Sequence, residues 1–147
     1  MNVLVTVGTG AFDELIAAID NLNIKAVCQI GQGTYTPKNH QWFRMQQNLD
    51  ALYQWADVIV THAGGGTLFE VLPLGKKVIA LANPERTDRH QEELLHELAR
   101  QNVLLPCQTV RDLPKTITAA QHAKLAQYVA EPCAIPAVIS AFLEEAA

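Results

Sequence analysis

The stretch from Asp57 to Thr61 constrains the fold more than any other part of this sequence. At its centre Val58, Ile59 and Val60 are β-branched and apolar without alternation, which is typical of a strand buried on both faces. Three glycines follow almost at once, and a helical pattern begins after them. A buried strand that leads through glycines into a helix indicates a parallel sheet covered by helices.

The same alternation of short apolar runs and helical patterns continues along the chain. Strands are predicted at Asn2–Val7, Ile24–Ile30, Trp42–Met45, Asp57–Thr61, Lys77–Ala82 and Val103–Pro106. Helices are predicted at Phe12–Leu22, Leu49–Ala56, Thr67–Leu74, Asp88–Gln101, Leu113–Ala130 and Ile135–Ala146. This order predicts an α/β fold with a Rossmann-like, mainly parallel sheet and helices on both faces. Ligands of such sheets bind beyond the carboxyl ends of the strands.

Length and composition narrow the class of protein. The 147 residues, 49% of them apolar and 18% charged, predict a single globular domain over 1–147, since domains run to roughly 100–200 residues. A net charge of −4 without a basic run argues against nucleic acid as a partner. Neither a signal peptide nor a transmembrane run is recognisable, and three separated cysteines form no disulfide framework. We therefore expect a cytoplasmic protein with reduced thiols.

The clearest candidate site is Thr61-His62-Ala63-Gly64-Gly65-Gly66-Thr67, with Glu70 following. Glycines let the backbone approach a ligand closely, and a helix that starts there directs free N–H groups at it. This arrangement suits a diphosphate, and Glu70, expected on the helix's first turn, can accept hydrogen bonds from two ribose hydroxyls. Thr67 and Glu70 also match a capping box, so both interpretations stay open.

Two weaker signals follow other strands. In the segment 83–91, Arg86 and Arg89 can meet phosphate charge, while His90 and Gln91 can hydrogen-bond a sugar or base; Asp88 and Gln91 alone also match a capping box. After the first strand, Gly8-Thr9-Gly10 begins like a dinucleotide fingerprint but lacks its third glycine. An NAD module is therefore disfavoured, and a turn facing a phosphate or sugar remains.

Other chemistries find no support in the residue pattern. Ser140 is the only serine, so there is no Gly-x-Ser-x-Gly nucleophile elbow. The five histidines form no metal-ligand spacing, and no metal site or cofactor is expected. We identify no catalytic residue.

As an ordered set, the motifs resemble those of glycosyltransferase family 28 carboxyl-terminal domains. The resemblance is carried by Val5-Thr6-Val7-Gly8-Thr9, Gln29-Ile30-Gly31-x-Gly33, the segment from Ala56 to Glu70, and His90-Gln91-x-Glu93-Leu94. It is strongest to the stand-alone domains, which include small catalytic subunits of eukaryotic N-acetylglucosamine transferases and PssE-type bacterial exopolysaccharide subunits; MurG carries a similar domain fused to an acceptor-binding half. The resemblance implies the carboxyl-terminal half of a GT-B glycosyltransferase.

The resemblance also implies roles for individual residues. The glycine segment and Thr67 would bind the diphosphate of a UDP-sugar, Glu70 its ribose, and the His-Gln pair the donor sugar and diphosphate. The full set of residues expected to bind the nucleotide sugar is Gly8, Thr9, His62, Gly64, Gly65, Gly66, Thr67, Glu70, Arg86, His90 and Gln91.

With the resemblance, the short chain is expected to be half of an enzyme. The expected function is donor binding in a two-chain glycosyltransferase that moves a hexose-type sugar to a polyprenyl-pyrophosphate-linked acceptor, in exopolysaccharide or surface-glycan synthesis. A membrane-anchored partner would bind the acceptor and recruit this chain to the inner face of the membrane. An apolar stripe in the helical segment 135–147 is either a partner interface or core. The alternative function is a non-catalytic nucleotide-sugar sensor or scaffold.

Overall fold

A computed structural model describes residues 1–85, 89–131 and 135–146, with the side chains of 135–138, 145 and 146 left aside. Its centre is a sheet of six parallel strands in the order β3-β2-β1-β4-β5-β6. The strands are β1 (Asn2–Thr6), β2 (Lys25–Gln29), β3 (Gln41–Phe43), β4 (Val58–His62), β5 (Lys77–Leu81) and β6 (Leu105–Pro106). The predicted Rossmann-like class is confirmed.

In the described part of the chain, six helices connect or follow the strands. They are α1 (Asp13–Asp20), α2 (Asp50–Trp55), α3 (Gly65–Val71), α4 (His90–Arg100), α5 (Leu113–His122) and α6 (Ile135–Ala146). Short 3₁₀ turns at Leu72–Leu74 and Val110–Asp112 extend α3 and precede α5. Gly75 ends the first of these turns with a φ of 68°, a left-handed conformation that glycine adopts at little cost.

The sheet separates two apolar cores. Side chains of α1 and α5 pack on one face with Val58 and Val60 of β4, and side chains of α2, α3 and α4 pack on the other face with Ile59. The unbroken apolar run of β4 thus serves both cores, as its sequence predicts. The prediction of helices on both faces is also confirmed.

One predicted helix is wrong over much of its length. α5 ends at His122, and Ala123 is extended with a ψ of 135°, whereas the pattern predicts a helix up to Ala130. The chain instead crosses to the end of α4, where the amide of Ala126 donates to the carbonyl of Asn102 at 2.8 Å. Tyr128 then lies against Phe69 of α3 with ring centroids 6.1 Å apart. These tertiary contacts override a local helical preference.

The reversal of strand order falls between β1 and β4, where ligands of such sheets bind. Buried polar side chains mark the carboxyl ends of these strands: Thr6 donates to Gln29 at 2.6 Å, and Thr61 donates to the carbonyl of Thr6 at 2.8 Å. Among the residues described, no helix is both long and apolar enough to cross a bilayer.

Candidate functional site

A cavity of about 250 Å³ opens at this strand reversal. It lies between the loops that follow β1, β4 and β5. Its lining consists of Val7, Gly8, Thr9, Gly10, Ala11, His62, Gly64, Gly66, Thr67 and Asn83. Most of the predicted binding residues that follow β1 and β4 are therefore brought together. No lysine or arginine among the described residues lines the cavity. Its walls therefore offer backbone amides, the hydroxyls of Thr9 and Thr67, an imidazole and a carboxamide.

The turn after β1 forms one wall. Gly8 has a φ of +61°, which disfavours any residue with a Cβ. A Cβ there would also lie 3.0 Å from the hydroxyl oxygen of Thr67 and 3.6 Å from the ring of His62. The amide of Gly8 donates to the hydroxyl of Thr6 at 3.2 Å. Gly8 thus brings the β1 loop into contact with the start of α3.

His62 ends β4 and forms the floor between the two loops. It is half-buried, and its Nδ1 lies 3.5 Å from the hydroxyl oxygen of Thr61. A Cβ at Gly64 would overlap the His62 ring, so the first glycine of the triplet makes room for an imidazole of this protein.

The other two glycines of the triplet face opposite surroundings. A Cβ at Gly65 would contact Leu94 of α4 at 3.6 Å, whereas a Cβ at Gly66 would meet nothing within 4 Å. Gly65 does not line the cavity, and Gly66 does. Within the described part of the chain, Gly66 is therefore the glycine of the triplet whose missing side chain leaves space open to a ligand.

The start of α3 differs from the predicted capping box. The helix begins at Gly65 with Gly64 in the N-cap position and without a side-chain cap, so Thr67 is the third helical residue and cannot cap it. The first backbone bond runs from the amide of Leu68 to the carbonyl of Gly64 at 3.0 Å. The amides of Gly65, Gly66 and Thr67 precede this ladder of intrahelical bonds, at the edge of the cavity.

Glu70 is expected on the first turn of α3, but the helix begins at Gly65 and Glu70 lies on its second turn. Its Oε1 accepts a hydrogen bond from the hydroxyl of Tyr53 at 2.8 Å. Glu70 is exposed and does not line the cavity. It follows Gly66 by four residues and Thr67 by three, and side chains with these spacings share one helix face. Its carboxylate is therefore carried by the face that borders the cavity.

The loop after β5 is joined to the rest of the site by Asn83. The buried Asn83 donates through Nδ2 to the carbonyl of Ala11 at 3.0 Å. Its backbone amide donates to Oε1 of Gln91 at 3.0 Å. Asn83 thereby connects the β1 loop, the β5 loop and α4. Asn83 is not among the predicted binding residues, although its position shortly after β5 corresponds to that of the predicted residues after β1 and β4.

The second predicted motif is only partly brought to the cavity. Gln91 is buried, and its side chain accepts a hydrogen bond from the amide of Asn83. α4 begins at His90 with Arg89 as N-cap, and Asp88, the first residue of the expected Asp88–Gln91 capping box, lies outside the described residues. The side chain of His90 is 88% exposed, with Nδ1 at 3.8 Å from Glu93, and it does not line the cavity. Arg86 lies outside the described residues. The ligand contacts expected of His90 and Gln91 stay predictions.

Among residues 1–85, 89–131 and 135–146, no cluster of three or more His, Cys, Asp or Glu side chains could hold a metal ion. Larger cavities, of about 440, 490 and 580 Å³, lie elsewhere in the described part of the chain. None of these three is lined by a predicted binding residue.

A comparison of the sequence with models of protein families shows which family this chain belongs to. Residues 2–144 match the model described as the glycosyltransferase family 28 C-terminal domain. The chain belongs to this family. The resemblance stated from the motifs is thus confirmed over nearly the whole sequence.

Curated relatives of this family 28 domain are transferases or transferase subunits by name. The chain is 33% identical over 122 residues to the UDP-N-acetylglucosamine transferase subunit ALG13 of Homo sapiens, covering 71% of the chain and 11% of that protein. It is 43% identical over 47 residues to UDP-N-acetylglucosamine--N-acetylmuramyl-(pentapeptide) pyrophosphoryl-undecaprenol N-acetylglucosamine transferase of Desulfotalea psychrophila, covering 32% of the chain and 13% of that protein. The matched segments thus span about a tenth of the length of each relative.

Solved structures with the same fold include MurG of Acinetobacter baumannii and ALG13. The MurG match has a TM-score of 0.61 and 23% identity, and it covers 82% of this chain and 41% of that one. The ALG13 match has a TM-score of 0.63 and 16% identity, and it covers 88% and 89% of the two chains. At these identities the likeness shows a shared fold.

Proposed function

We propose that this family 28 domain binds the UDP-sugar donor in a two-chain glycosyltransferase. Two observations on Gly66 carry the proposal: it lines a cavity at the strand reversal of a family 28 domain, and no atom lies within 4 Å of a Cβ placed there. A diphosphate in this space would meet the amides at the start of α3 and the hydroxyl of Thr67. Glu70, on the same helix face, would accept hydrogen bonds from the ribose.

The amides at the start of α3 and the hydroxyl of Thr67 would stabilise the leaving group of the reaction. Transfer breaks the bond between the anomeric carbon and the β-phosphate oxygen, and negative charge grows on the departing UDP. Amide and hydroxyl donors fixed in place before the reaction lower the barrier because they need no reorganisation. The donor sugar is a hexose type, and UDP-N-acetylglucosamine is the first candidate because the names of both curated relatives include it.

The size of the cavity favours a site that a second chain completes. Pockets that enclose a small ligand usually measure roughly 300–1,000 Å³, and this cavity is about 250 Å³. We propose that a membrane-anchored partner supplies the other wall, the polyprenyl-pyrophosphate-linked acceptor and the base that deprotonates it. The complex would work at the cytoplasmic face of the membrane in exopolysaccharide or surface-glycan synthesis.

An apolar helix surface supports a partner of this kind. In α6, Ile139, Phe142 and Leu143 are all exposed, Phe142 by 69%. The spacing of three to four residues puts them on one helix face. Ile135 and Val138, which belong to the same predicted stripe, have side chains outside the described set. We assign this face to the partner subunit.

Calorimetric titration with UDP tests the donor site. Glu70→Ala is expected to weaken UDP binding by about 1.5–3 kcal/mol, because a charged hydrogen-bond acceptor is lost. Glu14→Ala is the control, since it removes an exposed carboxylate from α1, and it should bind UDP like the wild type. Unchanged affinity in folded Glu70→Ala would contradict the ribose role. The UDP-sugar that raises the melting temperature most would identify the donor.

Co-expression with a membrane-bound acceptor-binding subunit tests the partner and the reaction. Phe142→Asp should abolish co-purification with the partner and sugar transfer, and leave UDP affinity of the isolated chain unchanged. If the variant keeps its partner, the exposed face of α6 is not the interface. If the wild-type chain binds UDP but supports no transfer in any pairing, it acts as a nucleotide-sugar sensor.

A further inference from the structure

The buried tyrosine on α2 makes a contact that the proposed chemistry does not use. Tyr53 is 5% exposed, and its ring packs in the core formed with α3 and α4. Its hydroxyl reaches out of this core and donates to Oε1 of Glu70 at 2.8 Å. Burial, and secondarily this hydrogen bond, raise the pKa of Tyr53, so the phenol keeps its proton and remains a donor at neutral pH.

Without that contact Glu70 would have little to fix its side chain. It is exposed on α3, and an exposed glutamate samples several rotamers. In the described part of the chain, the hydroxyl of Tyr53 is the group that donates a hydrogen bond to this carboxylate. It occupies one lone pair of Oε1. The other carboxylate oxygen and the remaining lone pair stay available to a ligand.

We infer that Tyr53 is a positioning residue that orients the Glu70 carboxylate toward the ribose hydroxyls of the bound nucleotide. The inference rests on the proposed function, because it needs a nucleotide beside Gly66 and Thr67. Tyr53 belongs to α2 and Glu70 to α3, so the hydrogen bond between them restricts the rotamers of the Glu70 side chain. This contact should therefore control the preference for a nucleotide that has ribose hydroxyls over one that lacks them.

A purely structural role for the same contact makes a different prediction. If the hydrogen bond only joins α2 to α3, its loss would affect every nucleotide equally. If the bond orients Glu70, its loss would matter only for ligands with ribose hydroxyls. The comparison of UDP with 2′,3′-dideoxy-UDP separates the two roles, because the second ligand keeps the base and the diphosphate.

The test is a calorimetric titration of wild-type, Tyr53→Phe and Glu70→Ala chains with both nucleotides. Tyr53→Phe keeps the ring and removes only the hydroxyl. We expect it to weaken UDP binding five- to tenfold and dideoxy-UDP binding less than twofold. In the Glu70→Ala background, adding Tyr53→Phe should change neither affinity further. Equal losses for both nucleotides, or no loss for either, would overturn the positioning role.

Glu70→Asp is the second variant, and it leaves the tyrosine and its packing intact. It shortens the side chain so that the carboxylate no longer reaches Tyr53, and it should weaken binding of UDP but not of dideoxy-UDP. An equal loss of affinity for both nucleotides would count against the inference.

Failure of the proposed function would give a different result, seen in the wild-type chain itself. A wild-type chain that binds neither nucleotide overturns both proposals, whereas one that binds both equally tightly overturns the ribose contact of Glu70 and leaves the diphosphate site standing.

Discussion

Two glycine loops of this domain have similar sequences and opposite structural roles. Gly31-Gln32-Gly33 follows β2, and Gly64-Gly65-Gly66 follows β4. The first loop is filled by the protein itself. A Cβ at Gly31 would overlap backbone atoms of the Gly8–Gly10 turn, and a Cβ at Gly33 would lie 2.9 Å from the carbonyl oxygen of Ile30. At Gly66, in contrast, a Cβ would meet nothing within 4 Å.

The polar contacts of the two loops differ in the same way. The guanidinium of Arg44 donates to the carbonyls of Gly31 and Gly33 at 3.1 and 2.8 Å. The amide of Gln32 donates to the carbonyl of Gly10 at 2.9 Å. The β2 loop therefore supports the β1 turn from behind and forms no wall of the cavity. A glycine in a loop sequence indicates that another group lies close to the backbone there. Only the structure shows whether that group belongs to the protein, as at Gly31 and Gly33, or whether the space is left for a ligand, as at Gly66.

The largest effect expected from this comparison is on stability, in Gly31→Ala. Gly31 has a φ of +52°, which costs a residue with a Cβ about 1–2 kcal/mol, and the added methyl would also have to displace the Gly10 carbonyl. Crowding of this kind costs about 1–3 kcal/mol more. We expect the free energy of unfolding to fall by about 3 kcal/mol in chemical denaturation.

Gly75→Ala is the matched control for Gly31→Ala. Gly75 also has a positive φ, of 68°, but a Cβ there meets nothing within 4 Å. This variant should lose only the conformational part, about 1–2 kcal/mol. Equal losses in the two variants would show that the contact with the β1 turn costs nothing, and the β2 loop could then not be its support.

The next largest effect should come from Asp20, which fixes the rest of the β2 loop. The carboxylate is 2% exposed and accepts hydrogen bonds from the amides of Lys38 and Asn39 and from the hydroxyl of Tyr35, at 2.8–2.9 Å. Burial alone would raise the pKa of Asp20, but these three donors outweigh it, and the pKa is lowered. Asp20→Asn should therefore cost about 1.5–3 kcal/mol at pH 7.

The stability difference between the wild type and Asp20→Asn should depend on pH in a definite direction. Because the pKa of Asp20 is lower in the folded chain, its stabilisation is complete above the unfolded value of about 3.9 and is lost as the pH falls through the folded value. The stability gap between wild type and Asp20→Asn should be constant from neutral pH to about pH 5 and narrow at lower pH. Glu14→Gln, at an exposed position on the same helix, is the control for the loss of one negative charge from α1. A gap that does not narrow at all below the unfolded pKa would mean that the shape of the side chain, rather than its charge, holds the loop.

The sheet and the location of the site are the parts that sequence predicts well. An unbroken apolar run such as Val58–Val60 has few alternatives to a buried strand, and the carboxyl ends of parallel strands converge by geometry. This convergence is why His62, Gly66 and Thr67 meet Gly8 across the cavity. The local pattern contains everything that these predictions need.

What sequence could not supply are contacts between distant residues. Tyr53 fits the apolar face of α2, and its hydroxyl gains a role only because α3 brings Glu70 within 2.8 Å. Asn83 and Ala11 are 72 positions apart in the chain. Gly65 and Gly66 are the same residue type one position apart, yet Leu94 of α4 approaches only the first. None of these neighbours can be read from a window of local sequence.

The smallest expected change in stability, with a clear change in binding, belongs to Gly66→Ala. Alanine is favoured over glycine inside a helix by about 0.5–1 kcal/mol, and the methyl has open space around it, so the folded chain should be as stable as the wild type or slightly more so. The same methyl would occupy the space assigned to the diphosphate, and UDP affinity should fall about tenfold, or ~1.4 kcal/mol. Gly75→Ala is the control, because Gly75 does not line the cavity and its substitution should leave UDP affinity within about twofold, or ~0.4 kcal/mol. Calorimetry with UDP and denaturation on the same samples separate the two quantities. A Gly66→Ala chain that binds UDP like the wild type would mean that the open glycine loop, like the filled one, is built for folding alone.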